Sequence, residues 1–468
     1  MLYDKTDKYS IEKYAQKMVG KTFNDICKED LNDAIVIESG STYALTHGDK
    51  RRKGGLGEIV EERFFHYKAN SDSSPDFKEA GVELKVTPYK INKNKSISAK
   101  ERLVLTMIDY NSVINEKEFD SSHFWYKSQW LLLVYYLWEK EIKDRLDYRI
   151  NYARLFTPSE EDLEVIRNDY FKIIEKIEAG YAHELSESDT MYLSACTKSS
   201  DSSIVKTQPN NDIPAKPRAF AYKSSYMTYV LNHYIHGAKP KYESIIKNDN
   251  VKDIEAYITD KINKHKGKSV TELCVDYDIK FDKTPKNLYA MLAYRMLGIT
   301  SNNAEEFVKA NIKVKTIRID KNNTIKENMS FPTFDFISIT KQDWEESEFY
   351  ELLSSTKFLF IVYHEQEDGI YIFNHAQFWN IPYKTLNGEV KDVWEKTKQI
   401  ALNPPSELKH ANGKYRGIFP KKTDNPVCHV RPHGRDSRDT LPLLDGREYP
   451  KQCFWLNNSY VLSVIENN

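Results

Sequence analysis

The sequence has little cysteine. Five cysteines, an odd number, are spread over 468 residues. That excludes a disulfide framework and fits a reducing compartment. An excess of basic charge is also missing: 68 Lys and Arg face 69 Asp and Glu, for a formal net charge of −1. The chain as a whole has no pull toward nucleic acid, so any DNA-facing surface must be local, with acids segregated elsewhere. Long apolar runs are absent too. The longest, Trp130 to Trp138, is far too short to cross a bilayer and reads as a buried central strand. The first residues, Met1-Leu2-Tyr3-Asp4-Lys5, carry no apolar signal core. The expectation is a cytoplasmic protein with no membrane partner.

What is present is length and one chemically loaded stretch. At 468 residues, two domains are expected, because single cores rarely grow past about 250–300 residues. The polar, Gly- and Pro-containing stretch 237–250 sets the boundary, giving domains 1–240 and 251–468. The loaded stretch runs from Pro75 to Lys85. Val82, Leu84 and Val86 alternate with Glu83, Lys85 and Thr87, the period of a strand with one apolar face. Glu83 and Lys85 share the other face, and Asp76 precedes them across a turn marked by Gly81. Two acids able to hold a divalent metal, with a lysine beside them, are the minimal equipment for metal-assisted phosphodiester hydrolysis. Taken alone, the same pattern also describes a solvated ion pair on an edge strand.

Other stretches supply what the motif lacks. Ser10 to Lys21 reads as a helix capped by Ser10. Residues 27–52 read as polar and irregular, ending in the basic run Lys50-Arg51-Arg52-Lys53. Gly54 to about Tyr67 reads as a glycine-started helix whose Glu61 tends inward and needs a partner. Lys127 is the last charge before the buried strand. Thr157, Pro158 and Glu160 read as a capping box opening a long helix that Gly180 ends. Tyr181 to Ala195 reads as a hairpin around residues 186–189. Beyond it, Lys198, Lys206, Lys216, Arg218 and Lys223 form a locally basic surface suited to DNA.

Six stretches then line up in order: KGGLGEIVE (53–61), PDFKEAGVELK (75–85), KERLVL (100–105), KIEAGYAHELSES (176–188), YLSACTK (192–198) and RAFAYKSSYMT (218–228). With them the chain resembles the MutH-like nucleases, which include a mismatch-repair nickase and type II restriction endonucleases, both acting at GATC. The resemblance implies an α/β (α+β) fold of restriction-endonuclease-like domains, each a mixed central sheet flanked by helices. It implies Asp76, Glu83 and Glu61 as ligands of Mg2+, with Lys85 and Lys127 completing the catalytic set. It implies Lys198, with Thr197, Arg218 and Lys223, as DNA-binding residues. The partner is then double-stranded DNA containing GATC, cut 5′ of the G by two chains that meet on it as a homodimer. A nicking enzyme of mismatch repair and a non-catalytic GATC-binding protein are the alternatives.

The second half reads as a worn copy of the first. Tyr294 stands where Glu61 was, Lys313 where Glu83 was, Lys315 where Lys85 was, and Glu306 sits at the offset of Asp76. Such a site has lost anionic oxygens and gained a cation, so it should not bind magnesium. The segment Cys428 to Asp436 matches Cys196 to Asp201, and Arg431, His433 and Arg435 are its expected DNA contacts. A zinc reading of Cys428, His429, His433 and Cys453 fails on spacing. The expectation is a non-cutting effector domain that binds a second GATC copy.

Overall fold

The computed structural model describes residues 2–34, 55–68, 73–198, 203–237, 241–247, 251, 253–280, 285–367 and 369–466. The basic run Lys50–Lys53 and residues 199–202, which follow Lys198, lie outside them. The chain divides into two compact units, Met1–Tyr242 with Val308–Asn311, and Glu243–Phe307 with Ile312–Asn468.

Among the described residues the first unit holds nine strands: β1 Val82–Ile91, β2 Ile97–Ala99, β3 Leu103–Met107, β4 Trp130–Leu137, β5 Ile150–Phe156, β6 Leu193–Thr197, β7 Lys206–Gln208, β8 Asn211–Ala215 and β9 Arg218–Tyr222. A mixed sheet has the order β2-β1-β4-β5, and an antiparallel sheet the order β3-β9-β6. Among these described strands only β1 and β4 pair in parallel, with Val82 opposite Trp130 and Lys85 opposite Leu133. This explains the continuous apolar run: Leu131 to Tyr135 are fully buried, as a central strand covered on both faces requires. Val82, Leu84, Leu132 and Val134 pack against Ile11, Met18, Phe23 and Val60 from the N-terminal helices. Each such side chain contributes roughly 1.5–3 kcal/mol when fully buried.

The second unit repeats the plan. Its strands are β10 Ile312–Ile319, β11 Met329–Thr333, β12 Lys357–Glu367, β13 Ile370–Trp379, β14 Cys428–Pro432, β15 Thr440–Pro442, β16 Glu448–Pro450 and β17 Gln452–Leu456. The orders are β10-β12-β13 and β11-β17-β14. Again the first pair is parallel, with Ile312 opposite Lys357 and Lys315 opposite Phe360. Even the turn before the strand is kept: Gly81 has φ +64° and Asn311 φ +54°, the left-handed conformation that glycine, and less often asparagine, adopts at low cost.

Several local expectations are corrected. The first helix is capped by Asp7, whose carboxylate accepts from Tyr9 N at 3.0 Å; Ser10 lies inside it and instead accepts from Asp4 N. Phe23–Ala34 is helical, so the polar segment begins as structure. Ser159, not Thr157, caps the helix Glu160–Glu178; Gly180 ends it at φ +82° as expected. The expected hairpin at 181–195 is replaced by two 3-10 turns, the second closed by Ser186 and Asp189. A serine and an aspartate at that spacing satisfy each other's backbone and compete with strand pairing.

Candidate active site

The tight turn Phe77–Val82 brings Asp76 back to the start of β1. Phe77 N donates to Val82 O at 2.9 Å, and Val82 N returns a bond to Phe77 O at 3.2 Å. Asp76 and Glu83 then clasp one another. Leu84 N donates to Asp76 Oδ2 at 2.8 Å, and Asp76 N donates to Glu83 Oε2 at 3.3 Å. The free oxygen of Glu83 faces two cations: Lys85 Nζ at 2.8 Å and Lys127 Nζ at 3.6 Å. The Glu83 side chain is only 5% exposed, and both lysines are under 20%. This is not the solvated edge-strand pair that the sequence alone allowed, because exposed pairs contribute little whereas breaking a buried one costs about 3–5 kcal/mol.

Lys127 reaches the cluster from the last turn of the helix His123–Ser128. Ser122 fixes that helix by accepting from Trp125 N at 3.1 Å. Glu61 comes from a π-helical turn, Val60–Phe64, that follows the short helix Gly55–Ile59. Such turns re-aim one side chain out of the helical register and recur at functional sites.

The acids repel one another. Burial, then the charges of Asp76 and Glu83, push Glu61 up to about 7. Burial and Glu83 push Asp76 up to about 6, against the bond from Leu84 and the lysines. Tyr67 is the residue that sequence reasoning missed. Its hydroxyl is buried without a hydrogen-bond partner among the described residues, and burial followed by Asp76, Glu61 and Glu83 holds its pKa well above the usual phenol range. The only sequence signal was its place six residues after Glu61, at the end of the same helical stretch.

The donor set suits a hard divalent cation. The acids offer oxygen only, their mutual repulsion is what a cation relieves, and Tyr67 adds an orphaned oxygen beside them. Among the described residues no group of three or more His, Cys, Asp or Glu side chains is gathered closely enough to hold a metal. Asp76 and Glu83 are in direct contact, and Glu61 is coupled to both by charge.

The expected DNA contacts divide. Lys198 is exposed at the end of β6, with Thr197 half-buried beside it. Arg218 and Lys223 are corrected: they are 3% and 1% exposed. Arg218 Nη1 donates to Ala195 O at 2.8 Å and Lys223 Nζ to Thr190 O at 2.5 Å. Arg218 holds the middle of β6 and Lys223 the segment that leads into it, and both are buried. Near Lys223, the buried Asp169 accepts from Met191, Tyr192 and Leu193 N at 2.6–3.0 Å. In the second unit, Arg431 is exposed with its guanidinium 4.9 Å from the Trp455 ring centre, and His433 meets the same ring edge-on at 5.3 Å. Arg435 is exposed, its backbone N donating to Asp439 Oδ2 at 3.2 Å.

The profile of the DNA mismatch repair enzyme MutH matches residues 65–169 and again 297–387. The type II restriction enzyme Sau3AI of Staphylococcus aureus is 36% identical over 478 aligned positions, covering 91% of this chain and 96% of that enzyme. The DNA mismatch repair protein MutH of Vibrio parahaemolyticus is 25% identical over 43% of this chain and 87% of its own length. That of Shewanella woodyi is 27% identical over 39% and 78%. No described helix is long and apolar enough to cross a membrane.

Proposed function

Because this chain belongs to the MutH-like nucleases, as a type II restriction endonuclease aligned with a relative over nearly its whole length, we propose that it cuts double-stranded DNA at GATC, 5′ of the G, with magnesium. Residues 1–240 are the cutting domain and residues 251–468 bind a second GATC copy as effector. The observation that carries this reading is the fate of one register position. β1 presents Glu83 and Lys85 paired at 2.8 Å, whereas β10 presents Lys313 and Lys315.

In this reading Asp76 and Glu83 hold the ion, with Glu61 as the third acid. A bound magnesium ion supplies Lewis acidity and a water of lowered pKa. The chain does the rest. The Asp76–Glu83 clasp holds the two carboxylates side by side at the start of β1, where they would hold the ion, and the turn at Gly81 keeps both acids on one side of the strand. Lys85 and Lys127 offset the negative charge that develops on the phosphate. Lys198, with Thr197, reads guanine from the end of β6. Arg431, His433 and Arg435 contact the effector copy, which activates cutting only by binding the active arrangement more tightly than the inactive one. One cutting centre severs one strand, so two chains meet on the DNA.

Incubating the protein with a plasmid carrying several GATC sites tests this, in magnesium and in EDTA. Magnesium-dependent linear fragments ending at GATC are expected. Nicked circles alone would instead favour a repair-type nickase, and a mobility shift without cleavage a binding protein.

A further inference from the structure

We propose that Lys313 and Lys315 form a phosphate-binding site for duplex DNA that works without a metal ion. The backbone that positions Glu83 and Lys85 is repeated in β10, where the parallel register places Lys313 opposite Phe358 and Lys315 opposite Phe360. Two residues apart on a strand, the lysines share one face. Neither has a hydrogen-bond or ion-pair partner among the described residues.

The acids that could have paired with them are otherwise engaged. Glu306, at the offset of Asp76, is buried and turned onto the segment 244–246. Its carboxylate accepts from Ile245 N and Ile246 N at 3.1 and 2.9 Å, and from the Ser244 hydroxyl at 3.1 Å. Tyr294, at the position of Glu61, is neutral, and burial raises its pKa further. Lys315 also lines a cavity of about 330 Å3 together with Arg318 and Lys326. The two acids of that cavity are satisfied locally. Glu327 pairs with Arg318 at 3.2 Å, and Asp320 closes its own turn onto Asn322 and Thr324.

The result is two cations, Lys313 exposed and Lys315 half-buried, where the first unit has an acid cluster. Loss of water lowers the pKa of both, and for Lys315 the charge of Lys313 adds to the effect. An anion reverses both penalties. The first unit needs an added cation to bring a phosphate against Glu83. In the second the cation is covalently built in, so a backbone phosphate is held and no water is activated. This deepens the effector reading and rests on it.

The test uses the full chain in EDTA with a short GATC duplex, measuring affinity against salt concentration. The Lys313→Met/Lys315→Met variant is expected to bind roughly 10- to 100-fold more weakly, with the log–log salt slope reduced by about 1.8, two phosphate contacts' worth. Its melting temperature should be unchanged or higher, because the half-buried charge of Lys315 and its repulsion from Lys313 are gone. The double Arg variant should retain binding. If Arg431→Ala weakens binding while the Met variant keeps the wild-type affinity and slope, this inference fails and the effector reading stands. If neither variant changes anything, both fail. If millimolar inorganic phosphate raises the melting temperature only when the lysines are present, yet duplex affinity ignores them, the site serves a free small anion and the DNA assignment is overturned.

Discussion

The two units share a scaffold and differ in what they put on it. Their parallel pairs, β1 with β4 and β10 with β12, have the same register, with Val82 opposite Trp130 and Ile312 opposite Lys357. Their antiparallel sheets match as well, with Ala195 opposite Phe220 and Val430 opposite Phe454. On that second match Lys198 falls with His433, and the Cys196-Thr197 pair with Arg431-Pro432. Past the first position, where Lys357 replaces Trp130, the central strands stay apolar and buried, Leu131 to Tyr135 in one unit and Phe358 to Val362 in the other, as a dense interior requires. At the acid positions Glu83 is matched by Lys313, Glu61 by Tyr294 and Asp76 by Glu306, whose carboxylate now serves residues 244–246. Duplication has kept the geometry and inverted the charge.

The sharpest way to break that contrast is to remove the matched acid from each unit. Asp76→Asn should lower the single-turnover cleavage rate at GATC by about 10³-fold or more, as expected when a centre that stabilises the transition state electrostatically is dismantled. Glu306→Gln should instead act on stability, by about 1–3 kcal/mol, because its carboxylate serves three donors in residues 244–246. Single-turnover kinetics and urea unfolding separate the two. Equal losses in the chemical step from both folded variants would end the claim that only one unit cuts.

A second matched pair concerns the buried caps of the antiparallel sheets. Lys223 N donates to Tyr192 O at 3.0 Å, and Asn457 N to Val427 O at 2.8 Å. Side chains follow suit, Lys223 onto Thr190 O at 2.5 Å and Asn457 onto Asn425 O at 2.8 Å. Lys223→Ala should cost about 3 kcal/mol, because its charge offsets the buried Asp169. Asn457→Ala should cost about 1–3 kcal/mol, as a neutral cap. Urea midpoints measure both. A Lys223→Ala protein of unchanged stability but weaker DNA binding would restore the original expectation that this lysine meets DNA.

That correction shows what the sequence could and could not carry. The Asp76–Lys85 stretch was legible because strand alternation fixes the face of each residue, and β4 because nine successive apolar residues fit a strand buried on both sides. The internal repeat was legible for the same reason. Arg218 and Lys223 were misread because a lysine in a polar-looking segment is usually solvated, and only tertiary context reveals the carbonyl and carboxylate waiting for it. The same holds for the cap at Ser159 in place of Thr157: both residues cap well, and the choice lies in how the chain enters the helix. Tyr67 gave no signal beyond its place after Glu61, since the three acids that act on it are brought there by separate elements.

The smallest effect separates the units by the sign of their pH response. Asp76, ordinarily near 3.8, is held at about 6, and Glu61, ordinarily near 4.5, at about 7. Between about pH 4 and 7 the folded first unit therefore binds protons that the unfolded chain has released, and its stability falls as pH rises. In the second unit the folded-state pKa values of Lys313 and Lys315 lie below 10.5. There the unfolded chain binds more protons in the alkaline window below 10.5, and stability rises with pH. Metal-free melting curves should show the first trend, flattened by Asp76→Asn by about 2–4 °C at neutral pH, and flattened likewise by magnesium acting on the wild type. Lys315→Met should leave that acidic-to-neutral trend intact and remove part of the alkaline gain. An Asp76→Asn profile parallel to wild type from pH 4 to 7 would mean that the acids do not strain one another, and the electrostatic case for a cation between Asp76 and Glu83 would fall with it.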